Sequence, residues 1–299
     1  MVLPIRIRLE SLTDGMRTKR AAIMLPPRVR VERVTQRIEK FMPQPQPQTG
    51  EIEHEFGVPI PGRILPPEQW AKTALKKVPD GLLDWESLFG RRAPVVIDIG
   101  CGNGRSTLGS AIAKPDCDHL GIDILPVVIR YATRRGNQRG LSNIRFAVIG
   151  GRELLAEHIA AGSVAEIHIY HPQPFYDSTQ IHRRLITPEF LTLAHRALVP
   201  CGKLFLQTDH PGYWAYMRSV VPCFFELREL EGPWPDTPRG RTRREIIARR
   251  HGLPIFRGEA VRRDEISIEE SLQLANSLPP PTFNADRRLR QLDEIEARS

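Results

Sequence analysis

The sequence has little that would tie it to a membrane or to an oxidising compartment. No apolar run approaches the roughly 20 residues that span a bilayer, and the opening MVLPIRIRLE carries no secretory hydrophobic region. Only four cysteines occur in 299 residues, Cys101, Cys117, Cys201 and Cys223, and no two form a C-x-x-C pair. Such scatter argues against a disulfide framework and a zinc ribbon, and predicts reduced thiols in a cytoplasmic protein without a metal site. Aromatic residues are scarce at 7%, and acids are outnumbered, with 35 Asp and Glu against 43 Lys and Arg for a net charge of +8. That excess favours polyanions over acidic protein surfaces as partners. What is present, 40% hydrophobic and 26% charged residues, is the composition of a globular domain with appendages.

Residues 1–49 read as a flexible basic arm carrying Arg17, Lys19, Arg20, Arg28, Arg30, Arg33, Arg37 and Lys40, closed by a PQPQPQ linker at 43–48 that favours extended polyproline geometry. A domain is expected over 60–260. Within it VVIDI (95–99), HLGID (119–123), IRFAVI (144–149), AEIHIY (165–170) and KLFLQT (203–208) read as strands. Stretches around 105–113, 126–138, 152–161, 187–198 and 212–221 read as helices between and after them, and FFELREL (224–230) as an edge strand. This alternation predicts an α/β fold of the Rossmann-like kind, a mostly parallel twisted sheet with helices on both faces. Residues 261–299, charge-mixed and broken by proline, are expected to form a poorly ordered tail.

The sharpest local pattern is VVIDIGCGNGRST, a buried strand followed by Gly100, Gly102 and Gly104 at alternate positions and then a helix start. Glycines suit a tight strand-to-helix turn whose backbone a ligand must approach closely. The D-x-G-x-G-x-G spacing differs from the dinucleotide G-x-G-x-x-G. Asp123, ending the next strand about 20 residues on, stands where an acid accepts hydrogen bonds from ribose hydroxyls. A tight turn and a strand-end cap would explain the same residues without a ligand. The loop resembles the first motif of S-adenosylmethionine-dependent methyltransferases. The resemblance implies a cofactor site of Asp98, Gly100, Gly102, Asn103, Gly104, Asp123, Ile124, Gly150 and Gly151, with Asp98 beside the methionine moiety.

Three downstream segments resemble the bacterial tRNA (guanine-N7-)-methyltransferases of the same broad fold. IYHPQPFYDSTQIHRRLITPEFL is similar to that family's Phe-Pro-Asp-Pro-Trp segment followed by Arg-Arg-Leu and Pro-Glu-Phe. LVPCGKLFLQTDHPGYWAYM is similar to its Leu-x-Pro-Gly-Gly turn, strand and Thr-Asp. RTRREIIARRHG keeps Thr242 and Glu245 in a Thr-x-x-Glu spacing. With GRILPPEQW and LDWESLFGRRAP upstream, the likeness runs roughly from Gly62 to Gly258. It implies methyl transfer from S-adenosylmethionine to a guanine N7 of tRNA, in the variable loop, with no membrane partner. Guanine N7 has a free lone pair and no proton to lose, so alignment with the methyl donor matters more than a general base. A carboxylate can accept from guanine N1–H and the exocyclic amine together. The resemblance assigns this to Glu245, with Asp209 and Thr242 as neighbours, although charge balance among Arg239, Arg241, Arg243, Arg244, Arg249 and Arg250 would explain Glu245 equally well. Arg183, Arg184, Arg243 and Arg244 suit phosphate contacts, or a solvated charged face.

The pattern also departs from the family. Gln173 occupies the catalytic Asp position, His171 and Phe175 replace aromatic neighbours, and Gly150 stands where an acid would approach the adenine amine. Residues 177–180 replace most of a basic run, and Cys201 interrupts the glycine turn. Two other functions therefore stand beside tRNA methylation: a methyltransferase for a small molecule, and a catalytically impaired protein that binds RNA and S-adenosylmethionine.

Overall fold

Apolar residues alternate with polar ones along the stretches 164–170 and 203–208, and this two-residue period separates an apolar face of the sheet from a polar one there. The computed structural model describes residues 49–284 apart from Lys76 and Ser178, together with Gln291 and Glu294. The basic arm and its PQPQPQ linker at 1–48 lie outside the described residues, as does most of the tail after 284. Among the described residues, seven strands form the main sheet: β1 (Val95–Ile99), β2 (Asp118–Asp123), β3 (Ile144–Val148), β4 (Val164–Tyr170), β5 (Leu198–Thr208), β6 (Phe225–Glu229) and β7 (Phe256–Arg262). Their order is 3-2-1-4-5-7-6. The first five run parallel, and β7 inserts antiparallel between β5 and β6.

The principal helices are α1 (Arg105–Ala113), α2 (Pro126–Gln138), α3 (Pro188–Ala197), α4 (Pro211–Val220), α5 (Arg243–Arg250) and α6 (Ile268–Ser277). Proline opens α2, α3 and α4, where its fixed φ suits the first turn and its missing N–H costs nothing. On one face of the sheet, Ile97, Leu120, Ile122, Ile167, Ile169, Leu204 and Leu206 pack with Phe190, Leu191 and Ala194 of α3 and Met217 of α4. Each fully buried side chain there contributes about 1.5–3 kcal/mol. The opposite face divides. Over β1–β3 it is covered by α1 and α2, with Leu108, Ala111, Ile129 and Ala132 packed on Ile144 and Phe146 and with Asp98 and His119 hydrogen-bonded to Thr107 and Ser110 of α1. Over β4 and β5 the same face carries Glu166, His168, Tyr170, Phe205 and Gln207, set side by side by the register His168↔Phe205 and Tyr170↔Gln207.

The expected strands and the helices at 105–113, 126–138, 187–198 and 212–221 form within about a residue of their predicted ends, except that β5 starts at Leu198, five residues before the expected 203, and FFELREL contains the edge strand. Three further features differ. The helix expected over 152–161 shrinks to a turn at Gly151–Glu153 followed by a π-turn at Leu154–His158. Strand β7, hidden in arginine-rich sequence, was not anticipated. Residues 261–284 are not a loose tail: the Ser267–Glu270 capping box starts α6, Thr192 Oγ1 donates to Ser271 O, and the Phe283 ring lies 4.8 Å from that of Tyr213. The apolar face of α6 is short, so its charged flanks masked it in composition.

One buried histidine makes the fold sensitive to acid. His119 on β2 is fully buried against α1, with Nε2 3.0 Å from Ser110 Oγ and Nδ1 unpartnered. Burial, reinforced by His168 and Lys114, lowers its pKa from 6.5 to about 4. The unfolded chain therefore binds the extra proton first, and stability falls as pH drops from 6.5 towards 4. Urea titrations at pH 7, 5.5 and 4.5 should show this loss, on the order of 3 kcal/mol when complete. In His119→Asn the slope across that window should flatten; an unchanged slope would assign the acid sensitivity elsewhere.

Candidate active site

Reversal of strand order between β1 and β4 opens a crevice at the carboxyl ends of the parallel strands, the usual ligand position in such sheets. The loop after β1 enters it with Gly100 at φ 79°, Gly102 at φ 53° and Gly104 at φ 81°. Gly104 is required by packing, because a β-carbon there would sit 2.8 Å from Ala132 Cβ. Gly100 and Gly102 face open space instead, with no heavy atom within 4 Å of where a β-carbon would stand. The loop thus offers bare backbone to a ligand.

Asp123 adjoins it. Its Oδ2 accepts from Gly102 N at 3.1 Å and its Oδ1 from Leu125 N at 2.9 Å. Burial raises its pKa, opposed by the backbone N–H groups of Leu125, Gly102 and Ile124. Ile124, Leu125 and Val148 leave large apolar side chains exposed beside it. An open glycine turn, a half-buried acid and an apolar ledge fit S-adenosylmethionine: the turn and Asp123 would hold the amino acid and ribose portions, and the ledge the purine.

Other expected cofactor residues are placed differently. Asp98 is 2% exposed, with Oδ2 accepting from Thr107 Oγ1 at 2.7 Å, which fastens β1 to α1. Asn103 donates from Nδ2 to Glu55 Oε1 at 2.7 Å. Gly151 is a packing residue, since a β-carbon would collide with Ile99 Cγ2, while Gly150 leads into the turn in extended conformation.

The second cluster lies at the ends of β4 and β5. Asp209 Oδ2 accepts from Arg244 Nε at 2.8 Å, and Oδ1 lies 3.2 Å from His171 Nδ1. Burial alone would raise its pKa; the hydrogen bond from His171 and the charge and hydrogen bond of the Arg244 guanidinium hold it well below the usual carboxylate range. Thr242 caps α5 by accepting from Glu245 N, which turns Glu245 inward. Glu245 is fully buried: Oε2 accepts from Arg241 N at 2.8 Å and Gln207 Nε2 at 3.1 Å, and Oε1 from Arg249 Nε at 2.9 Å and Nη2 at 2.7 Å. This corrects the expectation that Glu245 reads guanine directly, because four protein donors already saturate the carboxylate. It organises the site from beneath.

Arg184 is corrected as well. It is 2% exposed, donates to the carbonyls of Pro174, Phe175, Pro281 and Phe283, and stacks 3.6 Å from the Phe283 ring centroid, so it pins the HPQP loop to the chain's last described segment. Arg183 is exposed over Phe175 and keeps a cationic head in solvent. Gln173 is exposed at the tip of the same loop.

Sequence reasoning missed His171 and Gln207 as members of the site, together with Trp234 and a short hairpin, His54–Glu55 paired with Val58–Pro59. Glu55 receives both Asn103 and, at 3.1 Å, Arg243 Nη1. Glu53 binds Arg135 and Arg139 of α2 and the residue after it, and Arg243 and Arg250 lie over the Phe56 ring. Alternate acids in GEIEHEFG were the available signal. Between this hairpin, α1, β4 and the loop 234–241 lies a cavity of about 380 Å³, floored by Glu166, His168 and Phe205. Among the described residues, no cluster of three or more His, Cys, Asp or Glu could hold a metal ion, and no helix is long and apolar enough to cross a membrane.

If Asp123 holds the ribose, Asp123→Ala should weaken S-adenosylmethionine binding by about tenfold to a hundredfold in calorimetry, as expected for lost charged hydrogen bonds. Asp98→Asn should act mainly on thermal stability. Unchanged affinity in Asp123→Ala would remove that acid from the cofactor site.

Comparison with known proteins identifies the family. Residues 92–257 match the family described as "Putative methyltransferase". The tRNA (guanine-N(7)-)-methyltransferase of Halorhodospira halophila is 32% identical over 66% of this chain and 80% of its own length. That of Alkalilimnicola ehrlichii is 34% identical over 62% and 78%, respectively. Among solved structures, the 16S rRNA methyltransferase KamB aligns with a TM-score of 0.47 at 15% identity, covering 62% of this chain and 96% of that one. The matched segment takes in more than half of the chain and the relatives align over most of their length, so the chain belongs to the tRNA (guanine-N7-)-methyltransferase family.

Proposed function

We propose that this chain transfers the methyl group of S-adenosylmethionine to N7 of a guanine in tRNA, with the variable loop as the target region. One observation carries the reading: the HPQP loop, the Thr-Asp end of β5 and the Thr-x-x-Glu helix, far apart in sequence, converge through hydrogen bonds at one end of the sheet, beside an open glycine turn suited to the cofactor.

Bound there, S-adenosylmethionine supplies an electrophilic methyl group, and the N7 lone pair forms the new bond as the sulfur–methyl bond breaks. No proton leaves the base at that atom, so the chain needs no general base and Gln173 can stand at the tip of the loop. The residues hold, orient and exclude water. Asp209, kept ionised by Arg244, is the anionic acceptor nearest the loop, and saturated Glu245 fixes α5 and Gln207 beneath it. Exposed Arg183 and Arg239 supply cationic heads for phosphates.

Radiolabelled transfer to tRNA lacking 7-methylguanosine, followed by nucleoside analysis, should yield 7-methylguanosine. Replacing the variable-loop guanine with adenine should abolish incorporation. Label on another base, or on a small molecule with no requirement for tRNA, would replace the reading. Because Gln173 is solvent-exposed, Gln173→Asp should change kcat/KM by less than about tenfold, the value of one hydrogen bond. A gain of a hundredfold or more would instead mark the chain as an impaired enzyme.

A further inference from the structure

His171 takes the place of an aromatic residue and lies in none of the roles derived so far. Its ring is only 5% exposed, between Asp209 on one side and Gln207 on the other. The protonation of that ring follows from its neighbours. Trp234 Nε1–H can only donate, and it lies 2.6 Å from Gln207 Oε1, so that end of the amide is the oxygen. The other end is the NH2, which donates to Glu245 Oε2 at 3.1 Å and faces His171 Nε2 at 2.8 Å. A donor there requires a lone pair on Nε2. The ring proton of neutral His171 is therefore on Nδ1, where it donates to Asp209 Oδ1 at 3.2 Å.

We propose that His171 is a positioning residue that joins the Asp209 carboxylate to the Gln207–Glu245 pair, and that it does so only as the neutral imidazole with its proton on Nδ1. The proposal rests on the reading above that the chain acts on tRNA, with Asp209 as the anionic acceptor that faces it. Protonating His171 would set Nε2–H against the Gln207 NH2. Rotating that amide offers no escape, because its NH2 would then meet the Trp234 N–H and its oxygen would meet Glu245 Oε2. The charged groups around the ring are Asp209 at the end of β5, Arg244, Glu245 and Arg249 on α5, Arg241 in the preceding loop, and buried Arg257 on β7, opposite Gln207; the Tyr170 phenol lies next in the chain on β4 and takes the Arg241 guanidinium at 3.0 Å. His171 has φ 54°, a left-handed conformation that asparagine adopts readily. Asparagine also places an amide donor at the level of Nδ1 and cannot titrate.

The test uses the full chain in two measurements. Long-range nitrogen–proton NMR of histidine-labelled protein, with the His171 signal assigned by its absence in His171→Asn, should show Nδ1 protonated and Nε2 bare at pH 8. An Nε2–H tautomer or an imidazolium at that pH overturns the proposal, whether or not tRNA is a substrate. In methyl transfer, wild type should lose kcat/KM towards acid through a rise in KM for tRNA. His171→Asn should stay within about tenfold of wild type at pH 8 and lack that acid limb. His171→Phe should raise KM at every pH with S-adenosylmethionine affinity unchanged. An acid limb that persists in His171→Asn, or an unchanged KM in His171→Phe, removes the positioning role. Absence of transfer by wild type, with the expected NMR tautomer, overturns the tRNA reading alone.

Discussion

The Gln207 amide is the point on which the polar half of the sheet turns. Leaving a buried amide or carboxylate without partners costs several kcal/mol, so a sheet face carrying His168 and Gln207, with Glu245 of α5 against it, can be buried only if nearly every polar atom is met. Trp234 fixes which end of the amide is which; the amide then joins Glu245 to His171, and His171 reaches Asp209. Each donor leaves only one arrangement for the next group. The same constraint explains why α5 sits where it does, since a Glu245 deprived of Arg249 or Gln207 would be an uncompensated charge in the interior.

A second set of contacts ties this network to the cofactor side. Glu55, on a hairpin more than forty residues before the glycine loop, accepts from Asn103 in that loop and from Arg243 on α5. Its carboxylate therefore sets the distance between the bare backbone at Gly100 and Gly102 and the cluster around Asp209. Methyl transfer to a lone pair depends on how donor and acceptor are held, and effective alignment can supply much of the barrier reduction without acid–base chemistry. Residues that touch neither reactant, Glu55 and Glu245 among them, then matter through geometry.

The departures from the family pattern read differently in three dimensions. Gln173 stands in solvent, so the loss of a carboxylate there leaves no buried group unsatisfied. His171 matters more, because its polar ring belongs to the buried network and makes a path between two carboxylates that a phenyl ring could not make.

Much of the fold was legible in the linear pattern. The period-two strands, the proline-started helices and the glycine loop follow from local sterics and hydrophobic alternation, which depend on near neighbours in the chain. Asp123 was singled out this way, because a strand end about twenty residues after a glycine turn is a local feature, whereas Asp209 came from the family resemblance. Strand β7, helix α6 and the hairpin at 54–59 were not legible, since each is short, charged and stable only against a surface built by other segments. The roles of Glu245, Arg184, Asp98 and His171 were decided by tertiary structure alone. A carboxylate or guanidinium looks the same in sequence whether it faces a ligand or a buried partner, and only the full set of donors and acceptors around it distinguishes the two.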